Sequence, residues 1–135
     1  MKVTIFKGKV AEQKVILRAM EKGWIVSKPV CDCKYDLILD NENKFYKIQV
    51  KYADGKSSNS ENCVVAQLRS RKGRNTNYRY EDGEIDAIIV YVPKLDKVLW
   101  FNKDRFIGKS ALHIRIAPTK NGQKSKTNIA QELLW

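Results

Sequence analysis

Acidic residues and cysteines are scarce in this 135-residue chain, and long apolar runs are missing from it. No segment approaches the roughly 18 apolar residues that a membrane span needs. The start, MKVTIFKGKV, lacks the apolar stretch of a signal peptide. A membrane is therefore not an expected partner, and the expected compartment is the cytoplasm. The three cysteines, Cys31, Cys33 and Cys63, form an odd set. Cys31 and Cys33 lie two apart, too close for an easy bridge and off the C-x-x-C spacing of a zinc half-site. A four-ligand zinc site would have to recruit the distant His113, so free thiols are the expected state. Without disulfides the chain is still long enough to bury a core, and with no internal repeat or linker it reads as one domain over residues 1–135. Against 15 Asp and Glu stand 26 Lys and Arg, a net charge of +11. Such an excess can serve solubility alone, but in so small a domain it favours a polyanionic partner, nucleic acid ahead of a membrane surface.

The stretch YDLILDNENKFYKIQVKY, from Tyr35 to Tyr52, reads as a hairpin. Strands over Tyr35–Asp40 and Lys44–Tyr52 flank a polar turn at Asn41–Asn43. Side chains alternate along a strand, so Asp36 and Ile38 share one face, and Phe45, Lys47, Gln49 and Lys51 share one face of the second strand. An acid, an amide and an ammonium can thus meet on one sheet surface. A hard divalent cation prefers oxygen ligands, which Asp36 offers as a carboxylate, Gln49 as an amide and Val50 as a backbone carbonyl. Lys51, projecting on the same face, can orient or deprotonate water or steady charge on a phosphate. The chemistry this suggests is metal-assisted phosphodiester hydrolysis.

Ahead of the hairpin, Phe6–Lys22 reads as a helix stopped by Gly23, with Ala11, Val15, Ile16, Ala19 and Met20 as its apolar sector. Glu12 falls inside that sector, beside the space left by Gly8, so it needs a counter-charge such as Lys51 or a role in the metal site. Trp24–Val30 is an expected edge strand, limited by Pro29. The polar segment Ala53–Asn62 is expected to be a loop, followed by a strand over Cys63–Leu68. Arg69–Tyr80 holds five cations, two tyrosines and no acid. It reads as a loop over residues 69–80, either a solvated face or a nucleic-acid element in which Arg69, Arg71, Lys72, Arg74 and Arg79 contact phosphates or guanine edges. IDAIIVYV, Ile85–Val92, has the continuous apolar character of a buried strand. Asp82, Glu84 and Asp86 at its entrance are candidates to cap or orient the preceding loop, Asp86 also to support the site. Further strands are expected over Lys97–Phe101 and Leu112–Ala117, the latter exposed, with one helical turn over Asn102–Phe106. The basic segment 118–128 reads as an arm. A terminal helix over Ile129–Trp135 carries Leu133, Leu134 and Trp135, which need a burial partner such as another subunit.

These residues resemble the PD-(D/E)xK nuclease superfamily: Asp36, then Gln49-Val50-Lys51 on the next strand, with Glu12 on a preceding helix. The runs KGKVAEQKV, KYDLILD, IQVK, SRKG, DAIIVYVP and LDKVLWF, in this order, are similar to the bacterial group I intron homing endonucleases that use this core. The resemblance implies an α/β fold with a restriction-endonuclease-like core, a mixed β-sheet flanked by helices. It also implies a bacterial or phage source, and sequence-specific cleavage of double-stranded DNA by a homo-oligomer, dimer or tetramer. Mg2+ is the implied cofactor, with Mn2+ as a substitute. Glu12, Asp36, Gln49 and Lys51 take the catalytic positions. Two positions depart from the family pattern: Tyr35 stands where Pro is usual, and Gln49 replaces an acid, which leaves Asp36 and Glu12 as the side-chain anions. A Holliday-junction resolvase shares the small basic chain and this core. A non-catalytic DNA-binding module with a decayed site is the further alternative.

Overall fold

The computed structural model describes residues 3–57, 60–68, 70–72, 75–78, 80–117 and 128–135. In chain order the elements are α1 (Val3–Glu21), β1 (Ile25–Ser27), β2 (Leu37–Asp40), β3 (Phe45–Tyr52), β4 (Gly55–Ser57), β5 (Ser60–Gln67), β6 (Ser70–Lys72), β7 (Asn75–Tyr78), β8 (Ala87–Val92), β9 (Lys97–Asn102), α2 (Lys103–Phe106), β10 (Ala111–Arg115), β11 (Asn128–Ile129) and α3 (Ala130–Leu133). Among them no helix is long and apolar enough to cross a membrane.

The main sheet has the order β1-β2-β3-β8-β9, with β3 and β8 parallel and the other pairs antiparallel. Every residue of β8 is buried, as its apolar run predicts. Ala87, Ile89 and Tyr91 face one core, and Ile88, Val90 and Val92 face the other. The first core lies under α1, which presents its small residues Ala11, Val15 and Ala19 to Leu37, Leu39, Ile48 and Val50. Small side chains spaced four apart let the helix sit close to the sheet. Met20, expected in that sector, is instead 63% exposed. The expected sector thus meets the sheet through Ala11, Val15 and Ala19, with Ile16 packed beside them, and only Met20 falls outside it. Its end is a Schellman motif: Gly23 adopts φ 78°, the Trp24 N–H donates to the Ala19 carbonyl at 2.9 Å, and the Gly23 N–H donates to that of Met20 at 2.9 Å.

The second core is closed by a four-stranded sheet of order β11-β10-β5-β4, together with Phe106 of α2 and Ala130 of α3. The mixed sheet is thus flanked by α1 on one side and by a second sheet with two short helices on the other. The strand expected to be exposed, now β10, buries Leu112 and Ile114 in this core.

Three expectations change in the folded chain. Within the segment expected to be a loop, 53–62, the described residues Gly55–Ser57 form β4 and Ser60 begins β5, and the two strands pair antiparallel. A polar sequence is tolerated there since β4 is the outermost strand of its sheet. Gly55 belongs to this pairing: a Cβ on it would meet the Val65 carbonyl oxygen at 2.9 Å. Likewise the basic segment 69–80 contains a two-stranded ribbon, β6 with β7, which backbone pairing forms without any apolar period to reveal it. Finally, of the C-terminal apolar residues Leu133 and Trp135 find partners within this chain, while Leu134 stays 42% exposed. The Trp135 ring lies 5.3 Å from that of Trp24 and 5.5 Å from that of Trp100, the Trp135 backbone N–H donates to the Val98 carbonyl at 3.1 Å, and Leu133 packs on the second core.

Candidate active site

Asp36 immediately precedes β2 and is tied to β3 twice. Its N–H donates to the Ile48 carbonyl at 2.8 Å, and its carboxylate accepts the Val50 N–H at 2.9 Å. That second bond uses the Val50 amide, while the sequence reading drew on the same residue's carbonyl. Ile48 and Val50 face α1, so alternation turns Gln49 and Lys51 to the other side of β3. Lys51 and Asp36 lie close enough for each charge to act on the other.

Burial pushes the Asp36 carboxyl above its ordinary range. The Val50 N–H opposes that shift, the Glu12 carboxylate adds to it, and Lys51 and Lys28 pull the other way. Burial draws Lys51 below the ordinary lysine range, and Asp36 partly restores it. A half-buried acid beside a half-desolvated ammonium is the arrangement expected where groups are tuned for chemistry.

Glu12 is mostly buried on α1, and its counter-charge is not Lys51. Its carboxylate is met by Lys28 Nζ at 3.0 Å, with Lys9 Nζ at 3.8 Å. It still stands near enough to act on Asp36. Sequence reading missed Lys28, which follows β1 and comes to α1 only through the fold. It also missed Tyr80, which is 5% exposed and whose ring centroid lies 5.9 Å from Lys51 Nζ. Burial, reinforced by the charges of Asp36 and Glu84, raises the pKa of the Tyr80 hydroxyl. Its ring stands edge-on to Phe106 at 6.3 Å. A large aromatic ring ahead of an acidic run at the mouth of the buried strand β8 was the available signal.

The acids near β8 have structural partners. Asp86 accepts the Lys47 N–H at 2.8 Å, and its own N–H donates to the Lys47 carbonyl at 2.8 Å, which clamps the start of β8 to β3. Asp82 pairs with Lys103 at 3.1 Å, and Glu84 pairs with Lys34 and accepts the Glu81 N–H at 2.7 Å. Of the basic candidates, Arg71 and Lys72 fall on β6. Arg69, Arg74 and Arg79 lie outside the described residues, as do residues 118–127 of the basic arm. Cys31, Cys33 and Cys63 are free thiols. Among the described residues no group of three or more His, Cys, Asp or Glu side chains gathers.

The donors nonetheless fit a hard cation. Asp36 and Glu12 are carboxylates, the charge of Glu12 adding to the burial that raises Asp36, Gln49 can add an amide oxygen, and a divalent charge would offset the burial of Asp36.

The likeness to known proteins extends over nearly the whole chain. The solved structure of a bacterial homing endonuclease, I-Ssp6803I, superposes with a TM-score of 0.77 at 30% identity, covering 98% of this chain and 89% of that one. Protein 5.3 of Escherichia phage T7 is 29% identical over 106 residues, which span 78% of this chain and 85% of the phage protein. The model of the PD-(D/E)XK endonuclease family matches residues 3–133. With the fold, the order of the motifs and the family model in agreement from α1 to α3, this chain belongs to the PD-(D/E)XK endonucleases.

Proposed function

We propose that the chain is a Mg2+-dependent endonuclease that hydrolyses phosphodiester bonds of double-stranded DNA in a sequence-specific manner, with Asp36, Gln49, Lys51 and Glu12 as its active site. The observation that supports this reading is that the Val50 N–H holds the Asp36 carboxylate against β3, the strand that carries Lys51, near enough for the two charges to act on each other, in a chain of this nuclease family. Asp36, Gln49, the Val50 carbonyl and Glu12 would hold the divalent ion. Once bound, Mg2+, or Mn2+ in its place, would supply Lewis-acid polarisation of the phosphate and a lower pKa for water. The Val50 N–H fixes Asp36 for that role through one carboxylate oxygen. Lys51 takes the proton of the attacking water or steadies the negative charge that grows on the phosphate. The Tyr80 ring lies beside that ammonium, and partial burial of Lys51 strengthens the action of its charge. Lys28 holds Glu12 in place.

The excess of +11 supports a DNA partner. On this reading Arg69, Arg71, Lys72, Arg74 and Arg79 contact phosphates. Arg71→Ala or Arg74→Ala is then expected to weaken binding and lower the slope of log K against log salt by about 1 for each phosphate left without its cation. Binding isotherms across a salt series check this, and an unchanged slope would remove the arginine from the interface.

Gln49 in place of an acid is the one observation that favours a second reading, a DNA-binding module without cleavage. Cleavage tests on linear duplex and four-way junctions, each in Mg2+ and Mn2+, separate the readings. Cleavage of duplex supports the proposal, cleavage confined to junctions indicates a resolvase, and no cleavage of either indicates the module. Gln49→Glu restores a third carboxylate and is expected to tighten divalent-ion binding about tenfold, because ligand charge sets affinity at such sites. Calorimetric titration with Mn2+ measures that change directly.

A further inference from the structure

The Glu12 carboxylate is compensated from within the chain. Its side chain is only 15% exposed on α1, and a carboxylate so far withdrawn from water needs a cation or hydrogen-bond donors in return. Lys28 supplies the cation: its Nζ stands 3.0 Å from Oε1, while the Lys9 Nζ stands 3.8 Å from Oε2. The charge of Lys28 also reaches Asp36. One ammonium thus acts on both carboxylates that the site offers to a divalent ion. Gln49 adds an oxygen but no charge, so Asp36 and Glu12 are already balanced by Lys28 and Lys51. A divalent ion placed on Glu12 would stand against an ammonium on the same carboxylate, and like charges at that range repel strongly. One of the two has to give way. Lys51 is half-buried on β3, whereas the Lys28 side chain is 48% exposed and lies outside the strands, between Ser27 at the end of β1 and Pro29. Its flexible stem can return a strongly hydrated ammonium to water.

We propose that Lys28 is the resident counter-ion of the candidate metal site, held on Glu12 until a divalent ion replaces it. The proposal rests on the metal-site reading of Asp36 and Glu12 and adds to it a cation of the chain that competes for the same oxygens. Lys28 then has two opposed effects. It keeps Glu12 paired when no ion is bound, because a mostly buried carboxylate stripped of its cation is destabilising. It also weakens ion binding, since its pair with Glu12 must open first and its displaced charge stays nearby. Lys9, farther from the carboxylate and 66% exposed, lies outside this exchange, as exposed ion pairs contribute little. The direction of the effect separates this role from a merely orienting one. If Lys28 only fixed the Glu12 side chain for the ion, its loss would weaken ion binding.

Calorimetric titration of Mn2+ into the full chain, without DNA, tests the exchange beside thermal unfolding with and without Mn2+. Lys28→Gln is expected to bind Mn2+ about tenfold more tightly than wild type, and Lys9→Gln to differ from wild type by less than about twofold. Without the ion, Lys28→Gln should unfold at a lower temperature than wild type, and Mn2+ should raise its midpoint by more than it raises that of wild type. Lys28→Arg keeps the charge and grips a carboxylate through two donors, so it should bind Mn2+ no more tightly than wild type. Equal or weaker Mn2+ binding by Lys28→Gln would overturn the proposal. A gain of the same size in Lys9→Gln would also overturn it, by showing a general effect of net charge. Failure of the underlying metal-site reading has its own signature: neither wild type nor Lys28→Gln would take up Mn2+, and the exchange would fall with it.

Discussion

Lys51→Ala is expected to slow DNA cleavage by about 10²- to 10⁴-fold, the usual contribution of a positioned proton-transfer or charge-stabilising group. DNA affinity should be nearly unchanged. The ammonium lies 5.9 Å from the centre of the Tyr80 ring, close enough to Asp36 to feel its charge, and partial burial draws its pKa below the ordinary lysine range. Its interaction with a phosphate is therefore stronger than that of an exposed lysine, and a water molecule filling the vacated space cannot replace it. Lys51→Arg keeps the charge but adds a planar, more strongly basic group that does not fit the same space, so it should rescue little of the rate. Single-turnover rates beside binding isotherms separate a chemical defect from a binding one. A loss confined to affinity would move Lys51 out of the chemistry.

Phe101→Ala is expected to lower stability by about 3–5 kcal/mol, a large share of the roughly 5–15 kcal/mol that holds a domain folded. Phe101 is fully buried on β9 opposite Ile88 of β8, in the core closed by the second sheet. Truncating it removes apolar burial and leaves a cavity between layers that cannot collapse freely. Urea denaturation followed by circular dichroism measures the shift. A loss below about 1 kcal/mol would mean that the two sheets are not packed through this residue.

The candidate site carries the opposite sign. The Asp36 carboxyl titrates above its ordinary 3.8 in the folded chain, so its ionisation weighs against folding at neutral pH. That penalty disappears as the pH falls below the unfolded value, where both states are protonated. Asp36→Asn removes the charge and keeps an oxygen for the Val50 N–H. It should therefore raise stability at neutral pH and leave it unchanged in acid, while abolishing cleavage.

How much of this was legible in the sequence depends on how local each feature is. β8 could be read because both its faces are buried, which leaves an unbroken apolar run. The β2–β3 hairpin could be read because the turn at Asn41–Asn43 is written in its own residues, with Asn41 Oδ1 accepting the N–H groups of Asn43 and Lys44. Asp36, Gln49 and Lys51 then follow from alternation. The inward face of α1 could be read, since Ala11, Val15 and Ala19 pack on the sheet as expected with Ile16 beside them, but its limit at Met20 could not, because the exposed Phe6, Leu17 and Met20 are no less apolar than the residues that are buried. β4 and the β6–β7 ribbon depend on backbone pairing in polar stretches. Lys28 at Glu12, Tyr80 at Lys51 and Trp135 at Trp24 are contacts between residues far apart in the chain, and no local spacing encodes them.

The most direct measurement compares nicking of supercoiled DNA by the wild-type chain and by Asp36→Asn, in Mg2+ and again in EDTA, with DNA binding followed in the same samples. Cleavage by the wild type in Mg2+ alone, and none by Asp36→Asn although it binds DNA as tightly, is the expected result. Cleavage by Asp36→Asn at the wild-type rate, or wild-type cleavage that persists in EDTA, would contradict a divalent-ion site built on Asp36.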